Sequence, residues 1–219
     1  MLRILFEKTG DAVFISHLDL MRLFQRAFKR ASLPLTHTQG YNPRPSVSIA
    51  LPMSVGVESV CELLDFSLDT TDVDVNKLPQ MLNEKLIPGV RVLEAYDGGR
   101  KLKELSLMGA LVTLTYDNGI PENAQKEIEE LFAKDEIIVP KKGKNGIVDQ
   151  NIVPMIRKIH VTTDGEKHIL LNAVVCCQDP VLNPMQLAAA IGLYLPHLQP
   201  DDALCRRLEI YDNREVIFR

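Results

Sequence analysis

The sequence predicts an α+β protein made of two tandem ferredoxin-like units, each with the element order βαββαβ. Three observations lead to this class. Strand-like alternation and helix-like spacing of apolar residues follow one another in that order between residues 2 and 96. A glycine- and charge-rich segment, DGGRKLK at 97–103, then interrupts the pattern as a linker would. After this segment the same order recurs, with one extra strand or hairpin.

A local signal supports each element of the first predicted domain, residues 1–97. The clearest is a helix at 16–31, where Ser16 can cap the first turn, Asp19 stands in the capping-box position and Pro34 stops the helix. Apolar alternation predicts the strands, and a helical period predicts a second helix with Pro79 near its first turn. These elements are strands at 2–7, 46–51, 61–69 and 90–96 and a helix at 74–87.

The second predicted domain, residues 104–219, repeats these signals around an additional hairpin. A strand pair turns at Asp164 and Gly165, Pro184 opens the last helix, and KKGKNG at 141–146 predicts a basic turn. The elements are strands at 107–116, 136–140, 147–161 and 167–177, helices at 122–134 and 184–195, and a closing hairpin of 205–212 with 215–218. A single mixed α+β domain is the alternative architecture.

The composition is that of a globular protein, and the absence of several motifs argues against the enzyme classes that depend on them. Of its 219 residues, 46% are hydrophobic and 25% are charged, which suits a packed core and argues against disorder. No CxxC or zinc spacing, phosphate-binding loop, dinucleotide motif, HExxH or nucleophile elbow occurs in the sequence. Without a signal-like start or a long apolar run, we expect a soluble cytoplasmic protein with reduced thiols, no membrane contact, no metal and no cofactor.

Charge is distributed unevenly along the chain, although the net charge is only −4. Residues 1–50 carry seven Lys and Arg against three acids, a net of +4, whereas residues 51–97 carry three bases against nine acids, a net of −6. Salt screens each charge beyond about 10 Å, so a local basic surface can bind anions on an acidic protein.

The predicted first helix carries a basic face. Arg22, Arg26, Lys29 and Arg30 recur at helical spacing opposite the apolar stripe. Such a face suits contacts to RNA phosphates, which set affinity and position rather than sequence preference. The alternative is an ordinary solvated helix face.

A polar loop, QGYNPRP at 39–45, follows that helix. Gly40 permits a positive φ, and the prolines around Asn42 and Arg44 stiffen the path. A stiff loop, including Pro43, would present Arg44 to a phosphate or carboxylate and Tyr41 to a base. The alternative is a rigid turn whose arginine pairs with an acid of its own domain.

Two histidines flank the basic helix. His17 falls in its first turn, where the helix dipole favours the neutral ring, and His37 lies on the segment leading to the second strand. The pair could act as base and acid in a metal-independent RNA cleavage. The alternative for each is a structural, hydrogen-bonded histidine.

Four motifs together closely resemble the radical-SAM-linked family of uncharacterised bacterial proteins. They are FEKTG at 6–10, FISHLD at 14–19, QGYNPRP at 39–45 and LPMSVGVES at 51–59. The resemblance implies a radical SAM protein as partner and implies no particular activity. A looser similarity in fold links the chain to the tandem ferredoxin-like RNA-processing proteins of CRISPR systems, although the C-terminal LEIYDNREVIFR lacks their glycine-rich loop.

Three functions are consistent with these features of the sequence. The first is a non-catalytic protein that binds RNA, such as tRNA or rRNA, or a ribonucleoprotein, and presents it to a radical SAM partner. The second is an RNA-processing enzyme that uses His17 and His37. The third is a protein-interaction scaffold. The basic helix together with Arg44, without a complete catalytic set, favours the first.

Overall fold

The computed structural model describes residues 1–70, 72–143 and 146–219. The chain folds into two compact units, Met1–Glu104 with Phe218–Arg219, and Leu105–Ile217. Both units combine helices with antiparallel strands, and four α-helices lie within the described residues, which confirms the predicted α+β class. The domain limits at residues 97 and 104 stay a prediction.

In the first unit, three strands and a short fourth one form an antiparallel arrangement covered by two helices. β1 pairs with both β3 and β4, and Phe66 lies opposite Leu2 on one edge and Val47 on the other, which gives the order β4-β1-β3-β2. The elements are β1 Leu2–Lys8, α1 His17–Arg30, β2 Val47–Ile49, β3 Val57–Phe66, α2 Leu78–Asn83 and β4 Val90–Asp97.

Helix α1 forms as the sequence predicts, within one residue at each end. Ser16 caps it by accepting a hydrogen bond from the backbone N–H of Asp19 at 3.2 Å. Its apolar face packs on the sheet, where the rings of Phe24 and Phe6 lie 4.7 Å apart. The helix ends at Arg30, and Ser32 takes a positive φ of 57° before Pro34.

The other elements of the first unit shift from their predicted bounds. The predicted helix at 74–87 is a 3₁₀ turn, Val75–Lys77, followed by the short helix α2 with Pro79 in its first turn. Strand β3 starts four residues earlier than predicted and ends at Phe66, because its N-terminal part pairs with β1 up to Lys8.

A buried ion pair lies between β1 and β3. The guanidinium of Arg3 donates two hydrogen bonds to Asp65, Nε to Oδ1 at 2.5 Å and Nη2 to Oδ2 at 2.9 Å, and both residues are buried. The guanidinium also lies 5.5 Å from the ring centroid of the buried Phe218. A Cβ at Gly99 would overlap the same group, so a larger residue at position 99 would require the Arg3 guanidinium to shift.

Segment 97–103, predicted as a linker, takes part in the first unit. The backbone N–H of Arg100 donates to the carbonyl of Arg219 at 3.0 Å, and the Arg100 guanidinium lies 5.0 Å from the Phe218 ring centroid. The segment is therefore held by specific contacts.

The second unit has a four-stranded antiparallel sheet in the order β10-β5-β9-β8 and a separate hairpin of β6 with β7. Its two longer helices are α3 and α4. The elements are β5 Leu105–Thr115, α3 Ala124–Phe132, β6 Ile138–Gly143, β7 Gly146–Asn151, β8 Ile156–Asp164, β9 His168–Cys176, α4 Met185–Tyr194 and β10 Asp202–Asp212.

Two predictions for this unit are wrong. Segment 147–161 is two strands, because the 3₁₀ turn Val153–Met155 separates β7 from β8 and the Asn151 side chain accepts the N–H of Val153 at 3.1 Å. The closing hairpin has no second strand, since a single bridge joins Tyr211 to Ile217 after β10. Part of the predicted basic turn, Lys144 and Asn145, lies outside the described residues.

Candidate nucleic-acid interface

The exposed face of α1 carries all four of its predicted phosphate-binding cations. Leu20, Phe24, Ala27 and Phe28 are buried on the opposite side. A 14-residue helix is about 21 Å long, so the cations form a row along its C-terminal two-thirds. They are Arg22, Arg26, Lys29 and Arg30, and each is exposed.

The four cations differ in what holds them. Arg22 donates to Oδ1 of Asp19 at 2.9 Å, in an exposed pair, and Arg30 donates to the backbone carbonyl of Lys85. Across the described residues, neither Arg26 nor Lys29 has an acidic partner in ion-pair range. Arg26 and Lys29 are therefore the helix cations most available to an external phosphate.

Asp19 organises the N-terminal turn of α1. Its Oδ2 accepts a hydrogen bond from the Ser16 hydroxyl at 2.7 Å, while Arg22 occupies its other oxygen. The Ser16 hydroxyl and then the Arg22 guanidinium hold the pKa of this carboxyl below its ordinary value. At neutral pH, Asp19 therefore offsets part of the positive charge of Arg22.

The Ser16→Ala and Arg22→Ala variants are each expected to raise the pKa of Asp19 toward its ordinary value, because the Ser16 hydroxyl and the Arg22 guanidinium both lower it. NMR titration of the Asp19 carboxyl measures both shifts. Since the folded-state pKa is depressed, the stabilising contact is complete above the unfolded-state pKa and is lost as pH falls through the folded-state pKa. Unchanged pKa values in both variants would contradict this assignment.

The loop predicted at 39–45 is the tip of a small hairpin. The N–H of Ser46 donates to the carbonyl of Thr36 at 2.8 Å, and the N–H of Thr38 donates to the carbonyl of Arg44 at 2.8 Å. The Thr38 hydroxyl accepts the N–H of Arg44 at 3.0 Å, and Gly40 has a positive φ of 136°. The turn therefore depends on the glycine, as the sequence predicts.

The hairpin tip is presented to solvent. Tyr41 is 100% exposed, and Asn42, Pro43 and Arg44 are also exposed. Within the described part of the chain, no carboxylate pairs with the Arg44 side chain. The N–H of Thr36 donates to the carbonyl of Ser67 at 2.9 Å, which anchors the hairpin at the end of β3.

The two candidate catalytic histidines lie at opposite ends of the first unit. His17 begins α1 beside the end of β1, because Gly56 donates its N–H to the carbonyl of Val13 next to the start of β3. His37 bridges Pro45 in the hairpin, at the end of the sheet where β1 starts. A seven-residue strand spans about 23 Å, so the fold does not bring the two rings together.

The hairpin and the C-terminal half of α1 share one end of the unit. The chain passes from Arg30 through the buried Leu33 to Leu35, which bridges Leu68 just before the hairpin. Lys29 and the hairpin therefore lie at the same end, while Arg22 lies two turns away. No contact joins Arg44 to an α1 cation among the described residues.

Sequence reasoning overstated the basic surface. Of the seven cations counted in residues 1–50, Arg3 and Lys8 are buried. Lys8 donates to the carbonyl of Val13 at 2.9 Å, and Arg3 pairs with Asp65. The sequence pattern of β1 placed Arg3 on the face of the strand opposite to Ile4 and Phe6. It did not indicate that Asp65 and Phe218 cover Arg3 on that face.

Sequence reasoning also missed apolar residues beside the cations. Ile15 and Leu23 are half-buried and, with Asp19, Arg22 and Arg26, line an open groove of about 360 Å³. Phe14 and Leu18, just before and within the first turn of α1, are 70% and 67% exposed. The helical period placed Leu23 on the apolar face, and Leu23 packs against the core, whereas Phe14 and Leu18 lie outside that stripe.

Within residues 1–70, 72–143 and 146–219, no group of three or more His, Cys, Asp or Glu side chains is placed to hold a metal ion. No helix in the described part of the chain is both long and apolar enough to cross a membrane.

The structure thus defines an α+β protein whose first unit exposes a cationic helix face and a tyrosine-tipped hairpin. The chain belongs to the family described as "uncharacterized protein conserved in bacteria" (DUF2344), whose family model matches residues 1–184. This membership confirms the predicted resemblance to uncharacterised bacterial proteins, while the radical SAM association stays a prediction. No curated protein matches the chain.

Solved structures to which the chain is similar include the following three complexes. A chain in the crystal structure of a Cbf5-Nop10-Gar1 complex has a TM-score of 0.52 and 10% identity, covering 95% of this chain and 48% of that one. An H/ACA RNP bound to a substrate RNA containing 2′-deoxyuridine gives a TM-score of 0.49, 9% identity, and coverage of 94% and 46%. A chain of the archaeal box H/ACA sRNP Nop10-Cbf5 complex gives a TM-score of 0.42 and 11% identity, and the match covers 94% of this chain and 46% of that one. The chain spans about half the length of these proteins, and the first likeness is one of fold.

Proposed function

We propose that this protein binds RNA through the exposed cations of α1 and the hairpin tip, as an accessory protein without catalysis of its own. The observation that carries the proposal is Tyr41, an aromatic side chain that is fully exposed at the tip of a proline-stiffened hairpin beside Arg44. An exposed tyrosine stabilises no core, whereas it offers a face on which an unpaired base can stack.

The row of cations supplies the contribution that does not depend on base sequence. Arg26 and Lys29 are exposed, and neither has an acidic partner in ion-pair range among the residues described. Each phosphate that they neutralise releases condensed counterions, so binding must weaken as salt rises. Arg30 is held by the Lys85 carbonyl and contributes its charge from a fixed position.

We also infer that both units are ferredoxin-like, as the sequence predicts. The first unit supports this with its βαββαβ order and its strand order β4-β1-β3-β2. The second unit supports it with the order β10-β5-β9-β8, once the β6–β7 hairpin is set aside as an insertion. The likeness to a chain of the Cbf5-Nop10-Gar1 complex concerns the fold, so RNA binding is argued from the residues above.

A radical SAM protein is the partner that we infer from the motif resemblance. The four motifs lie in the first unit, which also carries the proposed RNA surface. Co-expression with a radical SAM protein, followed by nuclease treatment and size-exclusion chromatography, tests a direct complex. If the two proteins separate completely after nuclease treatment, they do not associate directly, and the radical SAM partner is ruled out. That result would not bear on RNA binding, which has its own test.

The test of RNA binding is a titration of labelled tRNA and rRNA fragments at two salt concentrations. We expect the logarithm of the binding constant to fall linearly with the logarithm of salt concentration. Absence of binding at low salt, or binding that salt does not change, would overturn the proposal.

The variant Tyr41→Ala/Arg44→Ala is expected to weaken RNA binding. Loss of one stacked base costs about 1–3 kcal/mol, and loss of one phosphate contact lowers the salt slope by about 0.7 to 0.9. Titrations of the double variant and of Arg91→Ala, an exposed arginine on β4, measure the difference. An equal loss of RNA affinity in the double variant and in Arg91→Ala would show that binding depends only on the overall positive charge, and it would contradict a role for the hairpin.

The geometry favours no second function. An RNA-cleaving enzyme would need His17 and His37 to act together, and they lie at opposite ends of the unit. His17 is half-buried, and its Nδ1 has no hydrogen-bond partner among the described residues. If RNA is cleaved, His17→Ala and His37→Ala should leave the cleavage rate unchanged.

A further inference from the structure

Three large apolar side chains are exposed together near the start of α1. Phe14 is 70% exposed, Leu18 is 67% exposed and Val55 is 57% exposed. The N–H of Gly56 donates to the carbonyl of Val13 at 2.9 Å, so Val55 and Phe14 lie on adjacent, hydrogen-bonded segments. Clustered exposure of this kind, unlike single surface residues, marks an interaction site.

These side chains do not serve the fold in any visible way. Leu20, Phe24 and Phe28 already fill the face of α1 that packs on the sheet. Ile15 precedes the Ser16 cap and is itself half-buried, so the helix start is covered without Phe14. Leaving Phe14 and Leu18 in water gains no hydrophobic stabilisation, which is a cost that binding would recover.

Cations border this apolar cluster. The groove along α1 has a floor of Ile15 and Leu23 and a rim of Arg22 and Arg26, with Asp19 as its single acid. Leu18 and Arg22 are four residues apart and therefore lie on the same side of the helix. The groove therefore combines an apolar floor with two arginines against one acid, a net charge of +1.

We propose that Phe14, Leu18 and Val55, with Arg22 and Arg26, form a docking surface for an acidic segment of another protein that carries apolar side chains. The apolar side chains of that segment would cover Leu18 and Val55, and its carboxylates would pair with Arg22 and Arg26. The apolar residues of this surface lie at the end of the first unit opposite to the Tyr41 hairpin. Arg22 and Arg26 also belong to the proposed RNA surface, so an acidic segment and RNA would share these two cations.

A protein segment fits this surface better than RNA or a second copy of the chain. Only Phe14 offers a ring on which a base could stack, whereas Leu18 and Val55 are aliphatic and offer neither a stacking face nor a hydrogen bond to a base. Two copies meeting about a two-fold axis would bring the same cations toward one another, and like charges oppose such an interface.

Selection from a phage-displayed library of random twelve-residue peptides tests the chemistry of the partner directly. We expect the enriched peptides to combine Asp or Glu with Leu, Phe or Trp. Fluorescence anisotropy of a labelled consensus peptide should show weakening of about tenfold or more for Leu18→Glu. Glutamate is compatible with the first turn of a helix, so this variant is expected to fold, and circular dichroism checks that it does.

Leu204→Glu is the matched control, since Leu204 is a 57% exposed leucine of the second unit and should bind the peptide like the unchanged protein. Arg22→Glu should weaken binding, and a peptide with one acid changed to lysine should restore it in that variant. No enrichment, enriched peptides without acids, or equal losses in Leu18→Glu and Leu204→Glu would overturn the proposal.

The same variant distinguishes a protein segment from two other possible occupants of this surface, RNA and a second copy of the chain. If Leu18→Glu weakens tRNA binding as much as Tyr41→Ala/Arg44→Ala does, the surface belongs to RNA and the proposal is wrong. If sedimentation shows a dimer that Leu18→Glu abolishes, the occupant is a second copy and the proposal is wrong. Unchanged tRNA affinity and a monomeric protein support docking of a separate protein.

Discussion

Replacement of Asp65 by alanine is expected to lower the free energy of unfolding by about 3–5 kcal/mol, because it leaves a buried charge without its partner. Arg3 is 1% exposed and donates two hydrogen bonds to this carboxylate. The guanidinium cannot turn to water without disturbing Phe218, which it contacts on one side. Equilibrium unfolding in urea, followed by circular dichroism, measures the change.

Two controls separate the burial of the charge from the presence of an ion pair. Asp19→Ala removes the acid of an exposed pair with Arg22, and its effect on stability should be small. The double variant Arg3→Met/Asp65→Leu removes both buried charges and should regain most of the stability lost in Asp65→Ala. Equal effects of Asp65→Ala and Asp19→Ala would contradict the assignment of Arg3–Asp65 as a structural pair.

The Phe24→Ala variant should cost a similar amount, about 3–5 kcal/mol, because it leaves a cavity in the core of the first unit. Phe24 is fully buried, and its ring meets that of Phe6 edge to face with centroids 4.7 Å apart. Because Phe24 fixes α1 on the sheet, we also expect weaker RNA binding from a helix that holds its cations less firmly. Urea unfolding and the RNA titration measure the two effects.

Phe14→Ala is the matched control for this core substitution. This variant also replaces a phenylalanine by alanine, but Phe14 is 70% exposed, so the free energy of unfolding should change little. A loss of stability in Phe14→Ala as large as in Phe24→Ala would show that Phe14 packs in the fold and would weaken its assignment to a docking surface.

Helix α1 was predictable from the sequence because its local signals agree with its packing. The Ser16 cap, the apolar stripe and the stop before Pro34 all act within one stretch of chain. At 147–161 a local signal was missed, because Pro154 stands in the 3₁₀ turn that separates β7 from β8 and a proline disfavours an unbroken strand. The pairing of β7 with β6, by contrast, is a choice between partners that no local pattern encodes.

The candidate site was predictable in its residue types but not in its arrangement. Exposure of Arg26 and Lys29 followed from helical period alone, and the structure agrees with it. The distance between His17 and His37 depended on which end of the sheet each one joins, which is tertiary information. The burial of Lys8 was equally invisible, because only the fold brings the carbonyl of Val13 to its amino group.

The prolines of the hairpin have a consequence for solubility. Backbone hydrogen bonds between Thr36 and Ser46 and between Thr38 and Arg44 flank the His37–Pro45 bridge, so the nitrogen of Pro45 points away from the partner arm. A foreign strand approaching that outer border would meet no donor at position 43 or 45. The protein can thus extend an aromatic tip into solvent without offering neighbouring molecules a template for sheet growth.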